Sequence, residues 1–161
     1  MPRAWKSKIE TSRSVVRVYV IAVGKIKEPG VRAWIDDYVK RIKRYADYHE
    51  LELKDGGESE VEERFRKAIP ARAKVVALEV DGKPYSSEEL ARFVGGCADG
   101  AVANLVFLIG GAYGLPARTS QSADVRLSLS RLTLPHRLAR VLLVEQVYRS
   151  FTILRGEPYS H

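Results

Sequence analysis

Three glycines that directly follow an apolar segment are the first residues whose types could do chemistry. The chain reads Leu108-Ile-Gly-Gly-Ala-Tyr-Gly-Leu115 at this point. Glycine lets a backbone turn sharply and approach a ligand closely. The spacing differs from the G-x-G-x-x-G pattern of dinucleotide sites, and no Gly-Lys-Ser/Thr follows as in a Walker A loop. The glycines therefore indicate either a ligand-binding loop or an ordinary tight turn.

A second segment runs from a mixed polar and apolar loop into the start of a predicted helix. It consists of Ser130, Arg131, Leu132, Thr133, Leu134, Pro135 and His136. The first backbone amides of a helix lack partners within the helix, so they can donate hydrogen bonds to a ligand. His136 either contacts a substrate from this position or has a structural role.

Charged side chains lie on the predicted C-terminal helix. Glu145 falls on an otherwise mostly apolar stripe, so it must be paired or functional. Arg149 lies one helical turn further on, where it can pair with Glu145 in an ordinary salt bridge. Arg137, Arg140 and Arg149 are also candidates for phosphate contacts, because a guanidinium binds phosphate through two parallel hydrogen bonds.

The last residues place an aromatic ring, a hydroxyl and an imidazole in succession, as Tyr159, Ser160 and His161. Such groups can stack on a nucleic-acid base and move a proton. Because chain termini usually fray, composition alone favours a disordered tail.

Strand and helix patterns alternate around these candidate residues. Runs rich in β-branched and apolar residues predict strands at 16–23, 51–53, 74–80, 104–109 and 127–129. Helical spacing predicts helices from Pro29 to about Tyr45, over 58–68, from Ser86 to about Cys97, and over 134–154.

Two local signals refine this pattern, and the apolar run predicts the fold class. Asp81 and Gly82 predict a turn. Ser86 with Glu89 matches a capping box at a helix start. The 104–109 run is almost wholly apolar, as in strands covered on both faces. We therefore predict one α/β domain, a mostly parallel sheet flanked by helices, with ligands beyond the carboxyl ends of its strands.

Composition excludes several classes of protein. The chain has 161 residues, of which 45% are hydrophobic, typical of one globular domain. Its one cysteine, Cys97, excludes an intrachain disulfide, and no Cys/His cluster has zinc-ligand spacing, so we predict no metal. No segment approaches the roughly 18 apolar residues that a membrane span needs.

The N-terminal region predicts the location and the domain limits. Basic residues there have no apolar segment behind them, so we expect no secretory signal and a cytoplasmic protein. Residues 1–14 are predicted to be a basic N-terminal extension and residues 15–161 the domain.

Positive charge is unevenly distributed. The net charge is +7, and residues 1–45 hold 12 basic and 4 acidic residues, residues 46–100 hold 8 and 13, and residues 101–161 hold 7 and 3. Every basic residue of that last segment is an arginine. This distribution fits either a face that meets RNA or DNA or a solvated, soluble surface.

Taken in order, these segments resemble a known family. The chain resembles the RlmH-type methyltransferases of the SPOUT class, which methylate N3 of a pseudouridine in 23S ribosomal RNA, over about 16–161. The matching segments are Val20-Ile-Ala-Val-Gly24, Leu78-Glu-Val-Asp-Gly-Lys-Pro84, Leu108-Ile-Gly-Gly111 with Gly114-Leu115, Leu132-Thr-Leu-Pro-His136, Glu145-Gln-Val-Tyr-Arg149 and Pro158-Tyr159. Each segment is weak alone, but this order and spacing in a chain this short is specific.

The resemblance implies a fold, a cofactor and an assembly. It implies a single-domain SPOUT fold with a C-terminal trefoil knot that holds S-adenosylmethionine. The cofactor-binding residues it implies are Leu78, Gly111, Ser130, Arg131, Leu132, Thr133, Leu134 and Pro135. It also implies a homodimer, in which the partner's C-terminal tail helps to complete each active site. The expected substrate is large-subunit ribosomal RNA within the assembled ribosome.

The catalytic candidates follow from this resemblance and from the chemistry of the substrate. N3 of pseudouridine carries a proton, so its methylation needs alignment, a proton acceptor and donors to the base carbonyls. Arg149, Tyr159 and His161 are the candidates, with His136 behind them. Many family members end in Pro-Tyr-His and a basic residue, whereas here Ser160 follows Tyr159 and His161 is last.

Two other functions compete with this one. A non-catalytic RNA-binding or ribosome-assembly module would use the same basic face without binding S-adenosylmethionine. A SPOUT enzyme acting on another RNA, such as a transfer RNA, would bind the cofactor and make a different product.

Overall fold

Strands and helices alternate strictly along the chain in the computed structural model, which describes residues 16–100 and 102–159. The elements are β1 (Arg17–Val23), α1 (Pro29–Ile42), β2 (Asp47–Leu53), α2 (Glu58–Ala68), β3 (Ala73–Pro84), α3 (Ser87–Asp99), β4 (Asn104–Ile109), α4 (Ala117–Gln121), β5 (Val125–Ser128) and α5 (His136–Arg155). The predicted extension at 1–14 and the residues Ser160 and His161 lie outside the described residues.

The strands form one parallel sheet in the order β2-β1-β4-β3-β5. All six residues of β4 are buried, since this strand lies between β1 and β3 with helices on both faces. The continuous apolar run therefore predicted its position correctly. The predicted α/β architecture is confirmed.

Two apolar layers cover the sheet. On one face α1, α3 and α5 pack together over inward-facing residues such as Val18, Val20 and Phe107. On the other face, Val61 and Phe65 of α2 cover alternate strand residues. Alternation of strand side chains between the two faces explains why neighbouring residues belong to different layers. None of the helices in the described ranges is long and apolar enough to cross a membrane.

Asp81 and Gly82 were predicted to form a turn, which is wrong. Both lie within β3, which shifts register against β5 between Leu78 and Lys83. The pairing partner explains the difference: a Cβ placed on Gly82 would lie 2.8 Å from the backbone carbonyl carbon of Arg126. Glycine here permits close contact between strands, as at many strand irregularities.

The helix ends follow local rules more closely. Glu89 donates its backbone N–H to the Ser86 hydroxyl at 3.1 Å, so the predicted capping box is confirmed. The final helix begins at His136 rather than at residue 134, because a residue that precedes proline is disfavoured in the helical region. Helix α4, only five residues long, has no sequence prediction behind it.

Candidate functional site

A cavity of about 770 Å³ opens where four strands end. Its wall comes from the carboxyl ends of β1 and β4, from the middle of β3 where its register shifts, and from the segments that follow β2, β4 and β5. The lining residues include Val23, Gly24, Asp55, Leu78, Glu79, Val80, Ile109, Gly110, Gly111, Leu129, Ser130, Leu132, Thr133, Leu134, Pro135, His136 and Ala139. Parallel sheets bind ligands at this edge, and the volume suits a small organic molecule.

Seven of the eight residues predicted to bind the cofactor line this cavity. They are Leu78, Gly111, Ser130, Leu132, Thr133, Leu134 and Pro135. Arg131 is exposed and does not line the cavity, so the structure does not bring it together with the other seven. The family resemblance assigned the whole segment 130–135 to the cofactor. It could not distinguish the residues of that segment that line the cavity from Arg131, which does not.

Sequence reasoning missed Asp55, an acidic residue of the wall, and gave no role to the second acidic residue, Glu79. Asp55 lies in the Asp-Gly-Gly segment after β2, and Glu79 lies in the middle of β3. The rule that ligands lie beyond strand ends pointed to Glu79 but not to Asp55. The strand before Asp55, β2, lies at the edge of the sheet, and its sequence has only a short and weak strand pattern. A carboxylate pair in this wall favours a ligand with positive charge.

The glycine loop is a tight turn and also part of the cavity wall. Gly114 donates its N–H to the Gly111 carbonyl at 3.0 Å, which closes the turn. A Cβ on Gly110 would lie 2.2 Å from the carbonyl carbon of Gly114, so no larger residue fits. A Cβ on Gly111 would lie 3.1 Å from a methyl carbon of Val23, at the bottom of the cavity. The tight turn is confirmed, and the ligand-binding alternative stays a prediction that the position of Gly110 and Gly111 in the cavity wall supports.

The loop between β5 and α5 is shaped by its own serines. Ser128 donates its hydroxyl to the Ser130 carbonyl at 2.9 Å, and the Ser130 hydroxyl accepts the Leu132 N–H at 3.0 Å. These bonds fix the local conformation of residues 128–132, of which Ser130 and Leu132 line the cavity. Leu132 itself is 73% exposed, which leaves an apolar side chain at the cavity edge.

Arg140 anchors the first turns of α5 beneath the cavity. It is 1% exposed, and it donates to the Gly24 carbonyl at 3.3 Å, to Glu52 at 2.6 Å and to Glu50. The prediction that Arg140 contacts phosphate is therefore wrong, because its donors are used inside the protein. Burial opposes ionisation of Glu52, but hydrogen bonds from Arg140 and from the Ile26 N–H outweigh it and lower the Glu52 pKa.

His136 begins α5 at the cavity wall. Its Nδ1 is buried and has no hydrogen-bond partner among the described residues. A Cβ on Gly24, whose φ is +91°, would lie 3.6 Å from its Cε1, so the end of β1 packs directly against the ring. Burial, and then the charges of Arg140 and Arg137, lower the His136 pKa below 6.5. The imidazole is therefore neutral at pH 7.

Arg149 and Tyr159 form a second cluster with Glu145 at the other end of α5. Arg149 donates to the Glu145 carboxylate at 2.6 Å, and its guanidinium lies 4.6 Å from the centre of the Tyr159 ring. The Tyr159 hydroxyl donates to the same Glu145 oxygen at 3.2 Å. The predicted pairing of Glu145 with Arg149 is confirmed, and the aromatic residue of the tail is ordered against both.

Neither cation nor phenol of this cluster gives up its proton easily. Burial and then a hydrogen bond with Tyr38 raise the pKa of Tyr159 well above its usual value of 10. The hydrogen bond to Glu145 raises the pKa of Arg149 above its ordinary value. Both side chains are donors at neutral pH. We name this group, Glu145, Arg149 and Tyr159, the tail cluster.

The tail cluster does not line the cavity of its own chain. His136 and Arg149 are separated along α5 by about 20 Å, at roughly 1.5 Å of rise per residue. The structure therefore brings the predicted cofactor residues together and brings Arg149 and Tyr159 together, but it does not join the two sets. Within the described ranges, no three His, Cys, Asp or Glu side chains cluster as a metal site would require.

Comparison with known proteins identifies a matching family model and similar curated proteins. Residues 16–161 match the family model described as "Predicted SPOUT methyltransferase". The chain is 49% identical over 149 residues to "Ribosomal RNA large subunit methyltransferase H" of Sorangium cellulosum, covering 91% of this chain and 100% of that protein. It is 42% identical to the protein of the same name from Geobacter metallireducens, covering 91% and 99%.

A more distant relative and a solved structure extend the comparison. The Clostridium kluyveri protein with that name is 36% identical and covers 89% of this chain and 99% of its own length. The crystal structure of a "Probable Methyltransferase" from Bordetella pertussis superposes with a TM-score of 0.52, 12% identity and coverage of 92% and 99%. At that identity the superposition supports the fold alone.

Proposed function

This chain belongs to the SPOUT methyltransferase family, and we propose that it transfers a methyl group from S-adenosylmethionine to N3 of a pseudouridine in 23S ribosomal RNA. The curated relatives, named as large-subunit ribosomal RNA methyltransferases, support the RNA substrate. The observation that carries the proposal is the cavity beyond the strand ends. Seven residues assigned to the cofactor by family resemblance converge on it from three separate segments.

The cavity fits S-adenosylmethionine in size and chemistry. Apolar residues such as Leu78, Ile109 and Leu134 suit an adenine ring, and the backbone of residues 129–135 can exchange hydrogen bonds with its edge. Asp55 and Glu79 suit the ammonium group and the sulfonium charge. Glycine at position 111 keeps this part of the cavity wall free of close contacts, because a Cβ there would lie 3.1 Å from a methyl carbon of Val23. S-adenosylmethionine supplies an electrophilic methyl group when it is bound.

The tail cluster has the chemistry that the base requires. Removal of the N3 proton leaves negative charge on the base carbonyl oxygens. Arg149 and Tyr159 are protonated donors held in place by Glu145, and such preorganised donors stabilise developing charge. Because both keep their protons, we assign the acceptor role to His161, whose imidazole can take a proton near pH 7.

A homodimer would join the two parts of the site. One chain holds its tail cluster about 20 Å along α5 from its own cavity, so the cluster of a second copy would complete the site.

We further propose that the C-terminal part of the chain is threaded as a trefoil knot. We also propose that the enzyme acts in the cytoplasm on ribosomal RNA within the assembled ribosome. Exposed arginines such as Arg118 and Arg131 are available for phosphate contacts.

The test is transfer of labelled methyl to ribosomes from a strain that lacks this gene. Large-subunit RNA, small-subunit RNA and transfer RNA are assayed in parallel. We expect label in large-subunit RNA, mapped to N3 of a pseudouridine. Label in transfer RNA instead would identify the other SPOUT function. Absence of both label and S-adenosylmethionine binding would favour an RNA-binding module.

A further inference from the structure

His136 is a polar side chain of the cavity wall, and within the described ranges its Nε2 is free to form a hydrogen bond with a ligand. Among the described residues, neither of its ring nitrogens has a hydrogen-bond partner. Nδ1 is shielded from solvent, whereas Nε2 is not among the buried unpaired atoms of the described chain. Since the residue lines the cavity, Nε2 is the nitrogen that a ligand can reach.

The surroundings of Nδ1 decide which nitrogen carries the proton. Nδ1 is unpaired in either tautomer, but a buried N–H without an acceptor is rarer in proteins than a buried acceptor without a donor. The neutral ring therefore carries its proton on Nε2. A doubly protonated ring would add an unpaired buried N–H as well as a charge beside other cations, which explains its lowered pKa.

Charged groups surround this ring on several elements. They are Arg137 and Arg140 of α5, Glu28 before α1, Glu52 of β2, and the cavity carboxylates Asp55 and Glu79. The carboxylates nearest the ring are already paired, Glu28 with Arg137 at 3.4 Å and Glu52 with Arg140 at 2.6 Å. Their charge is largely compensated, so it does little to stabilise an imidazolium.

We propose that His136 binds the cofactor through Nε2–H as a neutral imidazole. Because the ring carries no charge, the cavity can accept a cationic ligand. This inference rests on the proposed function, because it takes S-adenosylmethionine as the ligand. A cationic imidazolium in the same wall would repel the sulfonium. It would leave the binding of S-adenosylhomocysteine, an uncharged thioether at the same position, much less affected.

The pair of ligands allows a direct test. Both carry the same ammonium, carboxylate and adenine groups, so the ratio of their dissociation constants isolates the sulfonium charge. We expect calorimetry on the full-length chain to show that this ratio, S-adenosylmethionine over S-adenosylhomocysteine, stays constant between pH 8 and 6.5 and rises severalfold as the pH falls through the lowered pKa of His136, because two positive charges then lie close together in a partly buried site. His136→Gln, which cannot become a cation, should give a flat ratio.

His49→Gln is the matched control, because His49 is exposed and stacks on Tyr19 outside the cavity. It should behave as wild type. A second measurement needs no variant: the NMR titration of the His136 ring should show a lower pKa with S-adenosylmethionine bound than with S-adenosylhomocysteine bound. A flat ratio in wild type, or equal His136 titrations in the two complexes, would overturn the inference while leaving the proposed function intact. If neither ligand binds at pH 8, the proposed function fails as well.

Discussion

The two ends of α5 each carry an arginine paired with carboxylates, and the two pairs differ in almost every other respect. Arg140 is 1% exposed, and its acceptors lie on β1 and β2, far away in sequence. The side chain of Arg149 is 23% exposed, and its acceptor, Glu145, lies one turn away on the same helix. Arg140 fixes the wall of the cavity, whereas Arg149 leaves part of its guanidinium open beside Tyr159. Residue type and charge are identical, so burial and the origin of the partners separate a structural arginine from one available to a substrate.

The strongest test of this difference is removal of the exposed guanidinium. We expect Arg149→Met to lower the rate of ribosomal RNA methylation by about 100-fold or more, because a preorganised donor to the base is lost. The free energy of unfolding should change by less than about 1 kcal/mol, as for other exposed pairs. Methyl transfer and urea denaturation measure the two effects.

Arg155→Met is the matched control for that variant. Arg155 has the same exposure, pairs with Glu157 and lies 5.0 Å from the Tyr45 ring, so it offers the same kinds of contact in a different place. Its replacement should leave methylation near the wild-type rate. Equal losses in both variants would mean that the tail cluster has only a structural role.

The buried arginine should show the opposite pattern. Arg140→Met removes the buried partner of Glu50 and Glu52, while Arg32 still pairs with Glu50 at 2.7 Å. We therefore expect a loss of about 2 kcal/mol in the free energy of unfolding, below that of a fully uncompensated buried pair. Arg126→Met removes an exposed pair with Asp81 and should cost less than about 1 kcal/mol. Urea denaturation of both variants makes the comparison, and similar losses would show that the Arg140 network adds no special stability.

Mixing two inactive chains tests whether the two ends of α5 meet across a dimer. Gly111→Val blocks the cavity, and Arg149→Met disables the tail cluster. If each site combines a cavity with the partner's cluster, co-refolded chains should recover about a quarter of wild-type activity, since half of the dimers carry one intact site of two. No recovery in dimers shown to be mixed would place both parts in a single chain.

The smallest effect concerns pH. Glu52 has a folded pKa below its ordinary 4.5, so the stability it contributes is complete above about pH 4.5 and is lost as pH falls through the folded value. The difference in unfolding free energy between wild type and Glu52→Gln should therefore shrink below pH 4.5. Glu63, whose side chain is 45% exposed and pairs with the exposed Arg66, provides the control: added salt should weaken its contribution more than that of Glu52. Equal salt sensitivity would contradict the contrast between buried and exposed pairs.

Local sequence rules predicted the parts of this protein whose interactions are themselves local. The capping box of Ser86 and Glu89 and the pairing of Glu145 with Arg149 involve residues within one helical turn, so spacing alone was sufficient. The buried strand β4 was also predicted from sequence alone. Its uninterrupted apolar run is typical of an interior strand of a parallel sheet, which is covered by helices on both faces.

Interactions between distant segments could not be read in this way. Gly82 lies in a strand because β5 runs against it, and Arg140 is buried because β1 and β2 offer it acceptors. The eight cofactor residues came from family resemblance, and only the fold separated Arg131 from the seven that line the cavity. The acidic residue Asp55 carried no signal of its own, since nothing in its neighbourhood marked the strand before it as a wall of the site.

The amino-acid sequence by itself determined the α/β class, most of the strands and helices, and the edge of the sheet where the cavity lies. Those features depend on hydrophobic periodicity and turn chemistry, which act over a few residues. The tertiary structure alone decided which arginine is buried, that Nδ1 of His136 is shielded from solvent, and that Arg149 and Tyr159 do not line the cavity of their own chain. Burial and distance depend on residues brought together from remote parts of the chain, and no local pattern contains them.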